Sequence, residues 1–333
     1  MQSAAKARHL HRKYWVLGFG SSGTGNGQFM FPSGVAVNSD NNIIVSDSTN
    51  FNMQIFSNTG TFISKFGSGG PANGRFSFGP SHGSIAIDKS DNIYVVDLNA
   101  PEQVAYCYKN KRIAIADSQN HRIIIWELYA SLGNVGVQFF TKFGSLGTTN
   151  GRFNSPSGIA FDMDGNIVVA DTTNSRIQIF NSDGVHIRTW GTYGTTDQTL
   201  NYPRSVAINS VGHLIIGGLG GVQIFDQYGT FVTKFPGISS DSSVAVDNSA
   251  IGNIIVADYD NHRMHLFTSG GTLIRTYGGS GQFNQPAAVT VDNSGKIYVC
   301  ERLNHHISIF TNPAPPPPPQ QAGGSGVDEN AFI

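Results

Sequence analysis

Four aspartates, Asp47, Asp117, Asp171 and Asp258, recur along the chain, each closing an apolar run and each followed three residues later by an asparagine. Carboxylates in that number could surround a metal ion or share acid and base work. Their periodicity argues for another role. One carboxylate per repeat, followed by Asn and in three cases by Arg, suits a hydrogen-bonded corner that satisfies turn amides and pairs with a guanidinium. His121, His262 and His305 also share one repeat position and are expected to be structural. His82 departs from the repeat. It lies in Gly79-Pro-Ser-His-Gly83, where other units place Ser157, Arg204 or Ala287 nearby, and it is the one histidine whose position suggests chemistry. The cysteines, Cys107 and Cys300, are too few for a disulfide framework.

The elements that would position these residues are short strands. Segments beginning at Phe31 and Ser155 share one grammar: a Gly-Val/Ile-Ala strand, a turn of Asp, Asn or Gly, a strand ending in Asp, a connector with Asn, a strand ending in Ile-Phe, a Gly turn, and a last strand ending in Phe-Gly or Trp-Gly. Asp164-Gly165-Asn166 and Ser182-Asp183-Gly184 sit where adjacent strands must reverse. Four antiparallel strands per unit of 40 to 50 residues is the pattern of a propeller blade. Forty glycines and only 13% charged residues fit an all-β chain with many turns.

Inner strands are expected near Val35, Ser84, Gly158, Ser205, Ser243 and Ala288, which gives six blades. The last unit, through Phe310, lacks a fourth strand, and Tyr14 to Gly20 copies the outer-strand pattern of Phe62 to Gly67. The N-terminal strand is therefore expected to complete the C-terminal blade, with Trp15 and Phe19 packed at the seam. Residues 98–117 interrupt the second unit. Their removal would leave a clean repeat, so they are read as an insertion; a seventh, compressed blade or an error in the gene model are the alternatives. The unit containing His213 to Val222 has glycines where Asp, Asn and Arg recur, so its connector is either pared down or kept clear for a ligand.

These units resemble the NHL repeat family. The connector triplet reads Asn120-His-Arg122, Asn174-Ser-Arg176, Asn261-His-Arg263 and Asn304-His-His306, and the likeness spans most of Gln28 to Phe310. The resemblance implies six blades. It also raises three functions. Amidating lyases of this kind hold zinc with histidines from several loops, but the loops equivalent to that of His82 supply no second or third histidine. Six-bladed lactonases place calcium ligands at the starts of inner strands, where this chain has Ser, Gly, Val and Ala. Propellers of tripartite-motif proteins read single-stranded RNA on a basic face; Tyr202 with Arg204, and Arg75 and Arg152, would serve here.

The 21 Lys+Arg against 22 Asp+Glu give a formal charge of -1 and no global field for phosphate or anionic lipid. There is no apolar run of membrane-span or signal-peptide length, so a soluble, cytoplasmic and monomeric protein is expected. Residues 1–13 are basic, a weak likeness to a mitochondrial transit segment, and are expected to be disordered. So are 312–333, whose proline run suits a stiff spacer or a ligand for SH3- or WW-type grooves.

The reading is a non-catalytic binding module for a protein or peptide, with no catalytic residue, metal or cofactor. An RNA-binding propeller and a metal-dependent lyase or lactonase are the alternatives. The expected surface is Phe31, Phe78, His82, Tyr202, Arg204 and Gln285, which are large or polar, lie on lead-in loops and differ between repeats.

Overall fold

The computed structural model describes residues 15–69, 84–88, 90–95, 101–131, 134–235, 237–238, 242–247, 252–279 and 283–311. The calls on 1–13 and 312–333 lie outside them. Within the described residues the regular structure is strand apart from a single 3-10 turn, Ser118–Asn120.

After β1 (Trp15–Phe19), blade 1 comprises β2 (Pro32–Val37), β3 (Ile43–Asp47), β4 (Asn52–Phe56) and β5 (Phe62–Phe66). A two-stranded sheet, β6 (Ile85–Ile87) and β7 (Ile93–Val95), follows. Blade 2 is β8 (Pro101–Cys107), β9 (Arg112–Asp117), β10 (Arg122–Ser131) and β11 (Asn134–Phe143). Blade 3 is β12 (Pro156–Phe161), β13 (Ile167–Asp171), β14 (Arg176–Phe180) and β15 (His186–Trp190). Blade 4 is β16 (Pro203–Ile208), β17 (Leu214–Gly218), β18 (Gly221–Phe225) and β19 (Phe231–Phe235). Blade 5 is β20 (Ser242–Val246), β21 (Ile254–Asp258), β22 (Arg263–Phe267) and β23 (Leu273–Gly278). Blade 6 is β24 (Pro286–Val291), β25 (Lys296–Glu301) and β26 (His306–Thr311), with β1 as its outer strand.

Six four-stranded antiparallel blades therefore form a β-propeller, closed as expected by the N-terminal strand: Trp15 pairs with Phe310 and Phe19 with Ile307. The Phe19 ring lies 4.5 Å from that of Phe56 across the seam; the Trp15 side chain is outside the described set.

The second unit departs from its sequence reading. Of the residues read as an insertion, Pro101–Cys107 and Arg112–Asp117 form β8 and β9, the two inner strands of blade 2. The inner strands β2, β6, β8, β12, β16, β20 and β24 neighbour one another in a closed circle, so the two-stranded sheet takes a seventh position between blades 1 and 2. The physical reason is that Ile93–Val95 and Arg112–Asp117 both have second-strand grammar, and each finds its own inner partner.

A blade buries its two faces only against its neighbours. Among the described residues, each of the five interfaces between adjacent four-stranded blades holds eight to ten buried apolar residues. The two interfaces of the small sheet hold two each among the described residues, Ile44 with Met53 and Val104 with Ile113. Close approach of inner strands needs Gly158, where an added Cβ would lie 2.8 Å from the Arg204 carbonyl oxygen.

Candidate functional site

The recurrent acids lie fully buried at the ends of second strands, and their oxygens are engaged from several sides. Asp171 accepts from the Asn154 amide at 2.7 Å, from Arg176 Nε at 2.7 Å and from Gln178 Nε2 at 3.0 Å, with Asn174 adding further bonds. Asp117 accepts from Asn120 Nδ2 at 2.9 Å and Arg122 Nε at 2.6 Å. Asp47 accepts from the Met30 amide and Asn50, and Asp258 is met by Asn261 and His265 Nε2. In blade 6, Glu301 takes the position and accepts from Asn304 at 2.6 Å. Burial pushes the Asp47 carboxyl above its ordinary value, and the Met30 and Asn50 hydrogen bonds offset only part of that shift. These groups hold connectors to lead-in loops.

The repeated histidines tie blades together. Nδ1 of His121, His262 and His305 accepts the backbone N–H of Ser155, Gln285 and Phe31 at 3.0, 3.0 and 3.3 Å, each from the next blade's lead-in loop. An accepting Nδ1 leaves the ring proton on Nε2. Each acceptor histidine and each donor residue has a positive φ, between 52 and 60°. Tyr202 shares that conformation at 46°. Phe31, Ser155, Tyr202 and Gln285 all precede a proline, so left-handed backbone is doubly unusual there, and the inter-blade bonds hold it at three of the four.

Two groups of side chains stand on this loop surface. In the first, the Phe31 ring lies 5.3 Å from His305, edge-on, and the Arg302 guanidinium 5.7 Å from Phe31. Arg302 Nη1 donates to the Tyr259 hydroxyl at 3.4 Å, and that hydroxyl donates to Gln285 Oε1 at 2.6 Å. Phe31 and Gln285 are thus joined across blades 5, 6 and 1. In the second group, on blade 4, Tyr202 is 37% exposed, meets Tyr193 edge-on at 6.4 Å, and lies two residues from the exposed Arg204. Phe78 and His82 lie outside the described residues.

Sequence reasoning missed Tyr259, Arg302 and Tyr193. Tyr259 and Arg302 carried a signal: they follow the strand-closing acid, where blades 1, 2 and 3 have Ser48, Ser118 and Thr172. In blade 4 the connector is pared down. Leu219 and Gly220 alone separate β17 from β18, and the lead-in loop lies so close that a Cβ on Gly218 would sit 2.6 Å from the Tyr202 carbonyl oxygen.

Both cysteines are free and buried, and burial pushes the Cys300 thiol far up. Among the described residues no group of three or more His, Cys, Asp or Glu side chains is arranged to hold a metal, and no helix is long and apolar enough to cross a membrane.

The architecture belongs to the β-propeller class. Solved propellers superpose on it: a streptogramin B lyase with a TM-score of 0.67 at 12% identity, covering 90% of this chain and 99% of that one, and the WD40 propeller domain of Doa1 with a TM-score of 0.61 at 14% identity, covering 90% and 97%. At those identities the likeness is one of fold. Residues 29–56, 153–180 and 283–310 of this β-propeller match the NHL repeat. It is 33% identical over 146 residues to protein brain tumor of Drosophila melanogaster, and 38% identical over 145 residues to the B-box type zinc finger protein ncl-1 of Caenorhabditis elegans. Each match takes in 42% of this chain but only 14% and 17% of those proteins.

Proposed function

We propose that the chain is a non-catalytic binding module that recognises a protein or peptide partner through the loop face carrying Phe31, Gln285, Tyr202 and Arg204. Carrying this reading is the cluster Phe31, Arg302, Tyr259 and Gln285, large side chains linked across three blades. Aromatic residues and arginine dominate the energetic centres of interfaces, and side chains already ordered lose less entropy on binding. Among the described residues, the recurrent acids and the repeated histidines are engaged with the fold's own amides and side chains, which supports recognition over catalysis at those positions. The chain's match to a small part of two much longer animal proteins fits a module of this kind. Phe78 and His82 are kept as proposed members of the surface.

The test is selection from a random-peptide display library on the full chain, with each enriched peptide measured on a Phe31→Ala/Arg302→Ala variant. Enriched peptides that bind the variant at least about tenfold more weakly support the reading. Failure to enrich any peptide, or binding untouched by the double substitution, overturns it.

A further inference from the structure

Opposite the loop face the ring ends in strand-reversing turns. An antiparallel blade reverses there twice, between its first and second strands and between its third and fourth, whereas connectors and lead-in loops gather at the other end. Neighbouring turns touch: a Cβ added to Gly165 of blade 3 would lie 3.3 Å from Asn110 Nδ2 of blade 2, and one added to Gly212 of blade 4 would lie 4.0 Å from Met163 Sδ of blade 3. Turn tips are ordinarily polar, because short polar side chains satisfy the turn backbone. The tips between first and second strands of blades 1 and 6 follow that rule, with Ser39-Asp40 and Asn293-Ser294. Blades 3 and 4 depart from it. Met163 takes the position of Ser39 and Asn293, Val211 that of Asp40 and Ser294, and Tyr228 that of Thr59 on the outer turn of blade 1. These three side chains are 65%, 66% and 65% exposed, so the core gains nothing from them.

They also stand together. The Cβ position of Gly212 that borders Met163 lies 3.6 Å from Gln227 Oε1, next to Tyr228, and the Arg188 guanidinium of blade 3 lies 5.5 Å from the Tyr228 ring. Adjacent apolar tips of this kind mark a contact surface. The charge around them has one sign. The four turns of blades 3 and 4 on this face hold Asp162, Asp164, Asp183 and Asp226 and neither lysine nor arginine, although the whole chain is nearly balanced, with 21 Lys+Arg against 22 Asp+Glu. From blade 2, Lys109 approaches Asp164 and Arg112 approaches Asp183. Burial would raise the Asp226 carboxyl, but hydrogen bonds from Thr230, Tyr228 and Gly229 outweigh it and hold the group below its ordinary value, so it is charged at neutral pH. The turn backbones are already satisfied. Asp164 and Asn166 donate their N–H groups to Asp162 Oδ1, Val211 and His213 to Asn209 Oδ1, and Tyr228 and Thr230 to Asp226 Oδ1. Gly165, Gly212 and Gly229 donate to the carbonyls of the same three residues. An extended strand would find no row of backbone donors here, whereas a helix, whose own backbone is paired, needs only side-chain contacts.

We propose that Met163, Val211 and Tyr228, set among the carboxylates of blades 3 and 4, form a second recognition surface opposite the loop face, and that it takes a basic amphipathic helix of a partner protein. Apolar side chains at helical spacing cover Met163 and Val211, and the flanking Lys or Arg side chains meet Asp162 and Asp226. The flexible thioether of Met163 adapts to the incoming side chains. With a partner on each face, the propeller bridges two proteins.

The probe is a fluorescein-labelled peptide of leucine and lysine, about four helical turns long with leucines along one helical face, titrated into the full chain by fluorescence anisotropy. Saturable binding is expected, weakening as salt is raised, with helix gained by the peptide in circular dichroism. It weakens at least about tenfold when the leucines are replaced by serine, when the lysines are replaced by glutamate, and on Met163→Ser/Val211→Ser, whose exposed sites leave the melting temperature at that of the parent. Absence of saturable binding, equal binding of either altered peptide, or indifference to Met163→Ser/Val211→Ser overturns the proposal. A Phe31→Ala/Arg302→Ala variant leaves this binding unchanged, so the two faces succeed or fail separately; loss of binding on that variant would place the peptide on the loop face and overturn the proposal as well.

Discussion

At the scale of single residues, carboxylates that look alike along the chain sit in different electrostatic settings. Asp171 is fully buried with Arg176 also almost covered, and removing one member of such a pair strands the other. Asp171→Ala is expected to cost about 3–5 kcal/mol in urea denaturation. Arg122, a third exposed beside Asp117, should matter less when replaced by alanine, because the pair is partly screened. Acid titration separates Asp47 from Asp88. For Asp88, burial alone would raise the carboxyl, but hydrogen bonds from Asn92, Tyr94 and Ser90 outweigh it and hold the group below its usual 3.8. Its contribution is present above pH 3.8 and lost as pH falls through the depressed value, so Asp88→Asn is expected to lower the melting temperature at neutral pH and to match the parent in strong acid. Asp47, raised by burial, has the opposite sign. Its contribution is present below 3.8 and fades as pH rises through the raised value, so melting curves of Asp47→Asn should compare best with the parent at neutral pH.

At the scale of the elements, the seams carry the stability. Phe19 belongs to the strand that closes the ring and packs on Phe56. Phe19→Ala is expected to cost about 3 kcal/mol in chemical denaturation, and much more than Ile63→Ala on the half-exposed outer strand of blade 1. Gly158→Val should destabilise by a comparable amount, since its Cβ would meet backbone rather than a movable side chain. The repeats, the closing strand and the corner role of the acids were legible in sequence because each is local and periodic. The status of residues 98–117 was not. Two strands of identical grammar, Ile93–Val95 and Arg112–Asp117, compete for one place in a repeat alignment, and only three-dimensional pairing assigns each its own sheet. Of the surface, Phe31 and Gln285 were legible as departures from the repeat. Their link through Tyr259 and Arg302 was not, because it joins connectors and lead-in loops of different blades.

At the scale of the whole molecule, a closed ring fixes the relative positions of its loops and leaves recognition to what those loops carry. The interfaces of the two-stranded sheet are the weak point, and amide exchange is expected to show 85–87 and 93–95 opening well before β13 or β21. The measurement that bears most directly on the loop face as a protein- or peptide-binding surface is a parallel one. Display-selected peptides and a random single-stranded RNA pool are titrated against the same protein and against Phe31→Ala/Arg302→Ala, the RNA at two salt concentrations, with metal content determined by mass spectrometry. The expected result is peptide binding that the double substitution weakens at least about tenfold, with no salt-sensitive RNA shift and no stoichiometric metal. A salt-dependent RNA shift without peptide binding, or stoichiometric zinc or calcium, would contradict it.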